Sequence, residues 1–251
     1  MRYSYPKKQL LLWGIFIKKI NDFSKNPHFI RFNKYMKNTT LKILLLFIAT
    51  NVSAQKFSSD EKKLIQSGDV KTMLKVIQIT DAKELKVLTS VSTDVDPKDK
   101  LLPVLAERMF LSMRDPANPG IGIAAPQVGI NRNVFWVQRF DKEGEPFEFY
   151  VNPKIVWRSA LLRKGMEGCL SIPDINGEVL RNYTIKIMYW DREGKFHEEM
   201  VEGFTAVVFQ HEYDHLNGVL FTDRLKEQKA LQFSTIDGTV PLFVEKKLRR
   251  Q

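Results

Sequence analysis

Between Thr205 and Leu216 the chain carries an apolar run, with Val207, Val208 and Phe209 ahead and Leu216 behind. Into it are set Gln210, His211, Glu212, Asp214 and His215. The apolar flanks predict a buried helix. A buried helix must find a partner for every polar side chain it carries, since desolvating one without compensation costs free energy. His211 and His215 are four residues apart and project from one helical face, so both imidazoles reach a single ion. Glu212 lies one step round, close enough to act on a water held by that ion. His-Glu-x-x-His alone also fits a solvated helix face; the apolar flanks argue against that here.

Two imidazoles leave a metal short of ligands. Cys169 is the only cysteine and has no partner for an intrachain disulfide. As a thiolate it completes a three-ligand site with one open position, the arrangement of a catalytic rather than a structural metal. The rival reading is a zincin endopeptidase whose third ligand comes from downstream. No histidine follows His215, and only Asp223, Glu227, Asp237 and Glu245 offer carboxylates there. Cys169 is the better donor.

Three motifs then stand in order: Gly120-Ile121-Gly122-Ile123-Ala124-Ala125-Pro126-Gln127, Glu167-Gly168-Cys169-Leu170-Ser171, and Gln210 to Leu216 followed by Gly218. Together they resemble the peptide deformylases over Leu85 to about Leu225, with Ile123 where leucine is usual. The resemblance implies hydrolysis of the N-formyl amide of formyl-methionyl peptides. It implies one divalent ion on Cys169, His211 and His215, namely Fe²⁺, with Zn²⁺ or Ni²⁺ in purified protein because divalent affinity rises toward zinc. Glu212 is then the general acid/base. The Gln127 amide and the Leu170 backbone N–H are the donors to the oxyanion, and Gly122 lets an extended substrate approach the backbone. A peptide-binding protein that has lost turnover is opposed by the presence of Glu212, Gln127 and all three ligands.

The net charge of +10 suggests a nucleic-acid partner until it is divided along the chain. Residues 1–54 hold ten of the 39 basic residues and one of the 29 acidic ones, so the body is almost neutral and no nucleic acid is expected. From Met36 the order is basic (Lys37, Lys42), apolar (Ile43 to Ala49) and small (Val52-Ser53-Ala54). This predicts a signal peptide over 36–54, residues 1–35 as an over-extended start, and an exported, periplasmic protein without a membrane span. An organelle transit segment and an unused leader in a cytoplasmic protein are the alternatives.

The body reads as α+β: an N-terminal helical extension over 55–84, a catalytic domain over 85–225 and a tail over 226–251. Helices are expected from Ser58/Ser59 onward, over Leu101 to Met113 and over Thr205 to Leu216. Strands are expected over Val134 to Gln138, Phe147 to Val151, Lys154 to Arg158, Tyr183 to Trp190 and Phe196 to Val201. The resemblance places antiparallel sheets around a central helix carrying His211 and His215. His197 reads as a surface strand residue, Glu167 and Arg181 as a buried pair supporting the cysteine loop, and Asp214 as an imidazole partner, a helix-capping residue or half of a surface ion pair.

Overall fold

Helix starts follow the capping chemistry of the sequence. In the computed structural model, which describes residues 55–236 and 241–245, Ser58 Oγ accepts from Glu61 N–H at 3.2 Å. The Glu61 carboxylate accepts from Ser58 N–H at 2.6 Å, and this reciprocal pair opens α1 (Ser59–Ile65). Asp81 accepts from two backbone N–H groups to open α2 (Ala82–Leu88), and Pro103 stands in the first turn of α3 (Leu102–Met113). Two further helices, α4 (Gly203–Leu216) and α5 (Phe221–Glu227), follow the sheets.

The strands form two antiparallel sheets. In the first, β1 (Gly122–Ala124), β2 (Val134–Gln138), β3 (Phe147–Arg158), β6 (Thr184–Trp190) and β7 (Phe196–Glu202) lie side by side in that order. The second has the order β5-β4-β9-β8, from β4 (Leu161–Cys169), β5 (Ile172–Asn182), β8 (Phe233–Thr235) and β9 (Leu242–Glu245). The chain is therefore α+β with antiparallel sheets, as expected.

Phe147 to Arg158, expected as two strands, runs as one. Its pairing with β6 shifts register after Val151 and again after Ile155, so bulges absorb Asn152 and Pro153 without ending the strand. Asn152 takes a left-handed φ of 50°, which asparagine tolerates, and its amide pairs with both the N–H and the C=O of Val95. The tail adds β8 and β9 to the edge of β4, after a short 3-10 turn over Gln228–Ala230.

Helix α4 packs against β1 and β2 of one sheet and β5 of the other, and is buried along most of its length. Phe209 and Leu216 join Phe135, Tyr150 and Ile187 in one hydrophobic cluster. A second joins α3 to β1, β2 and β3 and takes in Phe57, Ile65 and Leu74 from the N-terminal segment. A third, with Ile77, Leu88, Ile172, Val179 and Phe221, packs against Cys169. The helix ends at Gly218, whose φ of +67° turns the chain so that Gly218 and Val219 N–H return to the carbonyls of His215 and Asp214. A β-carbon there would lie 2.5 Å from the Thr89 carbonyl oxygen.

Candidate metal centre

Cys169 is the last residue of β4, held at the tip of the β4–β5 hairpin by the two-residue turn Leu170–Ser171. Across from it, one helical turn apart on α4, stand His211 and His215. One donor atom from each of the three lies within 4.8 Å of the others, and this is the one such Cys/His/carboxylate group found among the described residues. Cys169 Sγ is 3.3 Å from His215 Nε2. His211 gives its Nδ1 to the Glu167 carboxylate at 2.8 Å, which leaves its Nε2 free to ligate. Tertiary structure thus brings together the three residues expected as ligands.

The surrounding charges are tightly organised. Arg181 is buried and grips both oxygens of Glu167, at 2.8 and 2.9 Å, while its remaining guanidinium nitrogen pairs with Asp214. Asp214 also takes a two-pronged contact from Arg224 at 2.6 and 2.9 Å. Asp214 is therefore an ion-pair residue, buried rather than on the surface, and Glu167 is the carboxylate that bonds an imidazole. Burial pushes Glu167 up, but Arg181 and His211 outweigh it and hold the carboxyl at about 2. That Glu167 reaches His211 as well as Arg181 was not foreseen. No local pattern signalled it, because the strand that carries Glu167 and Cys169 shows no alternation in the sequence and its pairing shifts register between the two.

Glu212 lies in a contrasting environment. It is 3% exposed, and its Oε2 has no hydrogen-bond partner. Burial raises its carboxyl to about 7, with Cys169 and Glu167 adding to the rise against the opposing histidines. Two carboxylates near one centre are thus pushed apart, one permanently charged and one poised near neutrality, a pattern associated with acid/base work. Gly122 at the start of β1 faces Glu212: a β-carbon built there would lie 2.9 Å from Glu212 Cδ.

Gln127 sits in a short 3-10 turn (Ala125–Val128). Its Oε1 accepts from Ala124 N–H at 2.8 Å, so one end of the amide bonds its own loop. Its Nε2 faces Cys169 Sγ at 3.5 Å and Ser171 Oγ at 3.4 Å. Leu170 is beside it in the hairpin turn. A cavity of about 460 Å³ opens here, lined by Gly120, Ile121, Cys169, Leu170 and Ile175. His197, by contrast, is on β7 with Nε2 2.6 Å from Asp191, away from this group.

The donor set fits a divalent cation. Burial pushes the Cys169 thiol up, yet His215 and His211 together bring it down to about 5, so it is a ready thiolate. A thiolate and two imidazoles suit zinc, iron or nickel. The buried Nδ1 of His215 is without a partner, so the ring's tautomer is free to leave Nε2 as a ligand. Two downstream carboxylates of the endopeptidase reading are engaged elsewhere, Asp223 accepting from Leu220 N–H and Glu227 pairing with Arg224, and Glu245 ends β9 on the surface opposite Phe233. Asp237 lies outside the described residues.

Comparison with known proteins bears on what such a centre serves. The polypeptide deformylase family model matches residues 73–231. A peptide deformylase from Caulobacter sp. (strain K31) is 42% identical over 162 residues, covering 62% of this chain and 92% of that protein. One from Rhizobium meliloti (strain 1021) is 44% identical over 145 residues, 57% of this chain and 82% of its own length. The class I type b peptide deformylase of Acinetobacter baumannii superposes with a TM-score of 0.55 at 35% identity, over 61% of this chain and 99% of that one. The Thermotoga maritima peptide deformylase does so with 0.54 at 38% identity, over 61% and 97%.

The expectation of export to a periplasm is corrected by these relatives. They are peptide deformylases of bacteria, and formylated chains are made in the cytoplasm, so the exported placement has no support. A short apolar run beside lysines is a compositional pattern, and residues 1–54, which carry it, lie outside the described residues. No helix among the described residues is long and apolar enough to cross a membrane. With a family model spanning more than half of its length and relatives above 40% identity, this chain belongs to the peptide deformylase family.

Proposed function

We propose that this enzyme hydrolyses the formyl amide of N-formyl-methionyl peptides or proteins with one divalent ion held by Cys169, His211 and His215. The observation that carries the reading is the convergence of those three donors beside a buried, unpaired Glu212. A bound ion supplies the Lewis acidity that makes water nucleophilic near neutral pH. Glu212, buried and without a hydrogen-bond partner at Oε2, takes the proton of the attacking water and returns it to the departing amine, leaving formate and a free N-terminus.

The oxygen of the formyl group gains negative charge during attack and needs donors already aimed at it. Gln127 Nε2 is one, with the amide's other end anchored on Ala124 so that the N–H₂ end cannot turn away. Leu170 N–H is the second. Ile121 and Gly122 form the strand edge along which an extended peptide lies, its formyl end toward Glu212. Glu167 keeps His211 in the tautomer that ligates, and Arg181 keeps Glu167 charged.

By family resemblance the working ion is Fe²⁺, with Zn²⁺ or Ni²⁺ expected in protein purified in air. Metal analysis and turnover of a formyl-methionyl peptide test the assignment together. Cys169→Ser should lose most bound metal, most activity, or both; a fully metallated and fully active Cys169→Ser protein would reject the site.

A further inference from the structure

The two oxyanion donors proposed above stand on different elements, Gln127 on a 3-10 turn and Leu170 on a hairpin tip. Their spacing is set by whatever joins those elements. The segment Ile77–Ile79, just before α2, bonds to both. Ile77 N–H donates to the Gln127 carbonyl at 2.9 Å and Ile79 N–H to the Ser171 carbonyl at 3.0 Å. Between them, the Gln78 side chain donates from Nε2 to the Leu170 carbonyl at 2.9 Å. Three consecutive residues therefore splint Gln127, Leu170 and Ser171. Two of the bonds are backbone and independent of residue type; the third belongs to the Gln78 side chain.

The state of that side chain is informative. Gln78 Oε1 is buried and has no donor, so the amide reaches Leu170 while its other end goes unpaired, which costs free energy. The Gln78 backbone is fixed as well: its N–H donates to Glu84 Oε2 at 2.7 Å, and Glu84 also accepts from Lys75 at 2.5 Å. An apolar side chain of equal length would remove the orphan along with the bond, but it would also leave the part-buried Leu170 carbonyl without this donor. For folding alone the two changes oppose each other, one orphan exchanged for another, so the net effect on stability is small.

We infer that Gln78 is a positioning residue for the deformylation reaction, holding Leu170 through its carbonyl so that the Leu170 N–H keeps its place relative to Gln127. The inference rests on the assignment of Leu170 and Gln127 as oxyanion donors. Gln78 touches neither metal ligand nor reacting atom; it acts through Leu170.

The test uses the metal-loaded full chain and two variants. Gln78→Met keeps the length and removes the donor; Gln78→His returns a ring N–H. With a formyl-methionyl tripeptide, Gln78→Met should lower kcat about tenfold, short of the roughly 10²–10³ that outright loss of an oxyanion donor costs. KM and metal content should stay near their original values and the thermal midpoint should move little, and Gln78→His should recover most of kcat. Amide hydrogen exchange over residues 168–172 should be faster in Gln78→Met. A Gln78→Met kcat within twofold of the original, or unchanged exchange over 168–172, overturns the inference. If the unaltered protein does not deformylate, the proposed function falls instead, and the exchange measurement alone then decides whether Gln78 positions the turn.

Discussion

Gly122→Ala adds one methyl group at the point where β1 meets α4. The new β-carbon would lie 2.9 Å from Glu212 Cδ and 3.0 Å from Cγ, with Glu212 Oε1 closer still. Carbon atoms pack at about 3.5–4.0 Å, so a gap of 0.5–1 Å must be opened. Gly122 is paired with Val137 in the sheet and yields little, so the displacement falls on Glu212. That side chain has no hydrogen bond at Oε2 to hold it, so it shifts against its packing neighbours without breaking a hydrogen bond there. Overpacking of this kind typically costs about 1–3 kcal/mol of stability. A displacement near 1 Å of a group that must meet the reacting atoms costs about 10²-fold in rate.

Gly122→Ala should therefore remain folded and metallated while kcat/KM for a formyl-methionyl peptide falls about 10²-fold. The assay is steady-state turnover beside metal analysis and a denaturation curve. A kcat/KM within threefold of the original, with the variant folded, would refute the claim that Gly122 is there to make room for Glu212.

Glu212→Gln should keep its fold and its metal and lose roughly 10²–10⁴-fold in kcat, read by steady-state kinetics with deamidation excluded by mass spectrometry. Glu167 has a folded pKa of about 2 against an ordinary 4.5, so it binds its proton less readily in the folded state. Its contribution, about 3 kcal/mol, is present above pH 4.5 and is lost as pH falls from there toward 2. Urea unfolding of chelated protein at several pH values should show Glu167→Gln with a weaker loss over that window than the original. Gly218→Ala combines a left-handed backbone with a clash against the Thr89 carbonyl, and should lower stability by roughly 2–4 kcal/mol while leaving kcat of the folded protein unchanged. An unaltered denaturation midpoint would count against it.

Much of the site was legible before any coordinates, because its chemistry rests on residue types at short spacings. A separation of four places His211 and His215 on one helical face whatever surrounds the helix, and a single cysteine leaves one thiolate donor. Helix α3 and strands β2, β6 and β7 were legible from period and residue type for the same reason. The β4–β5 hairpin was not. Leu161 to Gly165 is half-buried on both faces, so no alternation marks it, and the Pro173 and Asn176-Gly177 of β5 read as turn residues until pairing with β4 draws them out straight. The short strands β8 and β9 exist only by leaning on β4.

Tertiary structure alone decided which carboxylate serves the metal ligands. Asp214 lies on the same helix as both histidines and Glu167 is more than forty residues away, yet Glu167 orients His211 and Asp214 is occupied by Arg181 and Arg224. It also placed Gln78 against Leu170 across ninety-two positions. Local spacing sets which face of one element a side chain occupies; which element comes to meet that face is set by the packing of all of them, and no window of sequence contains it.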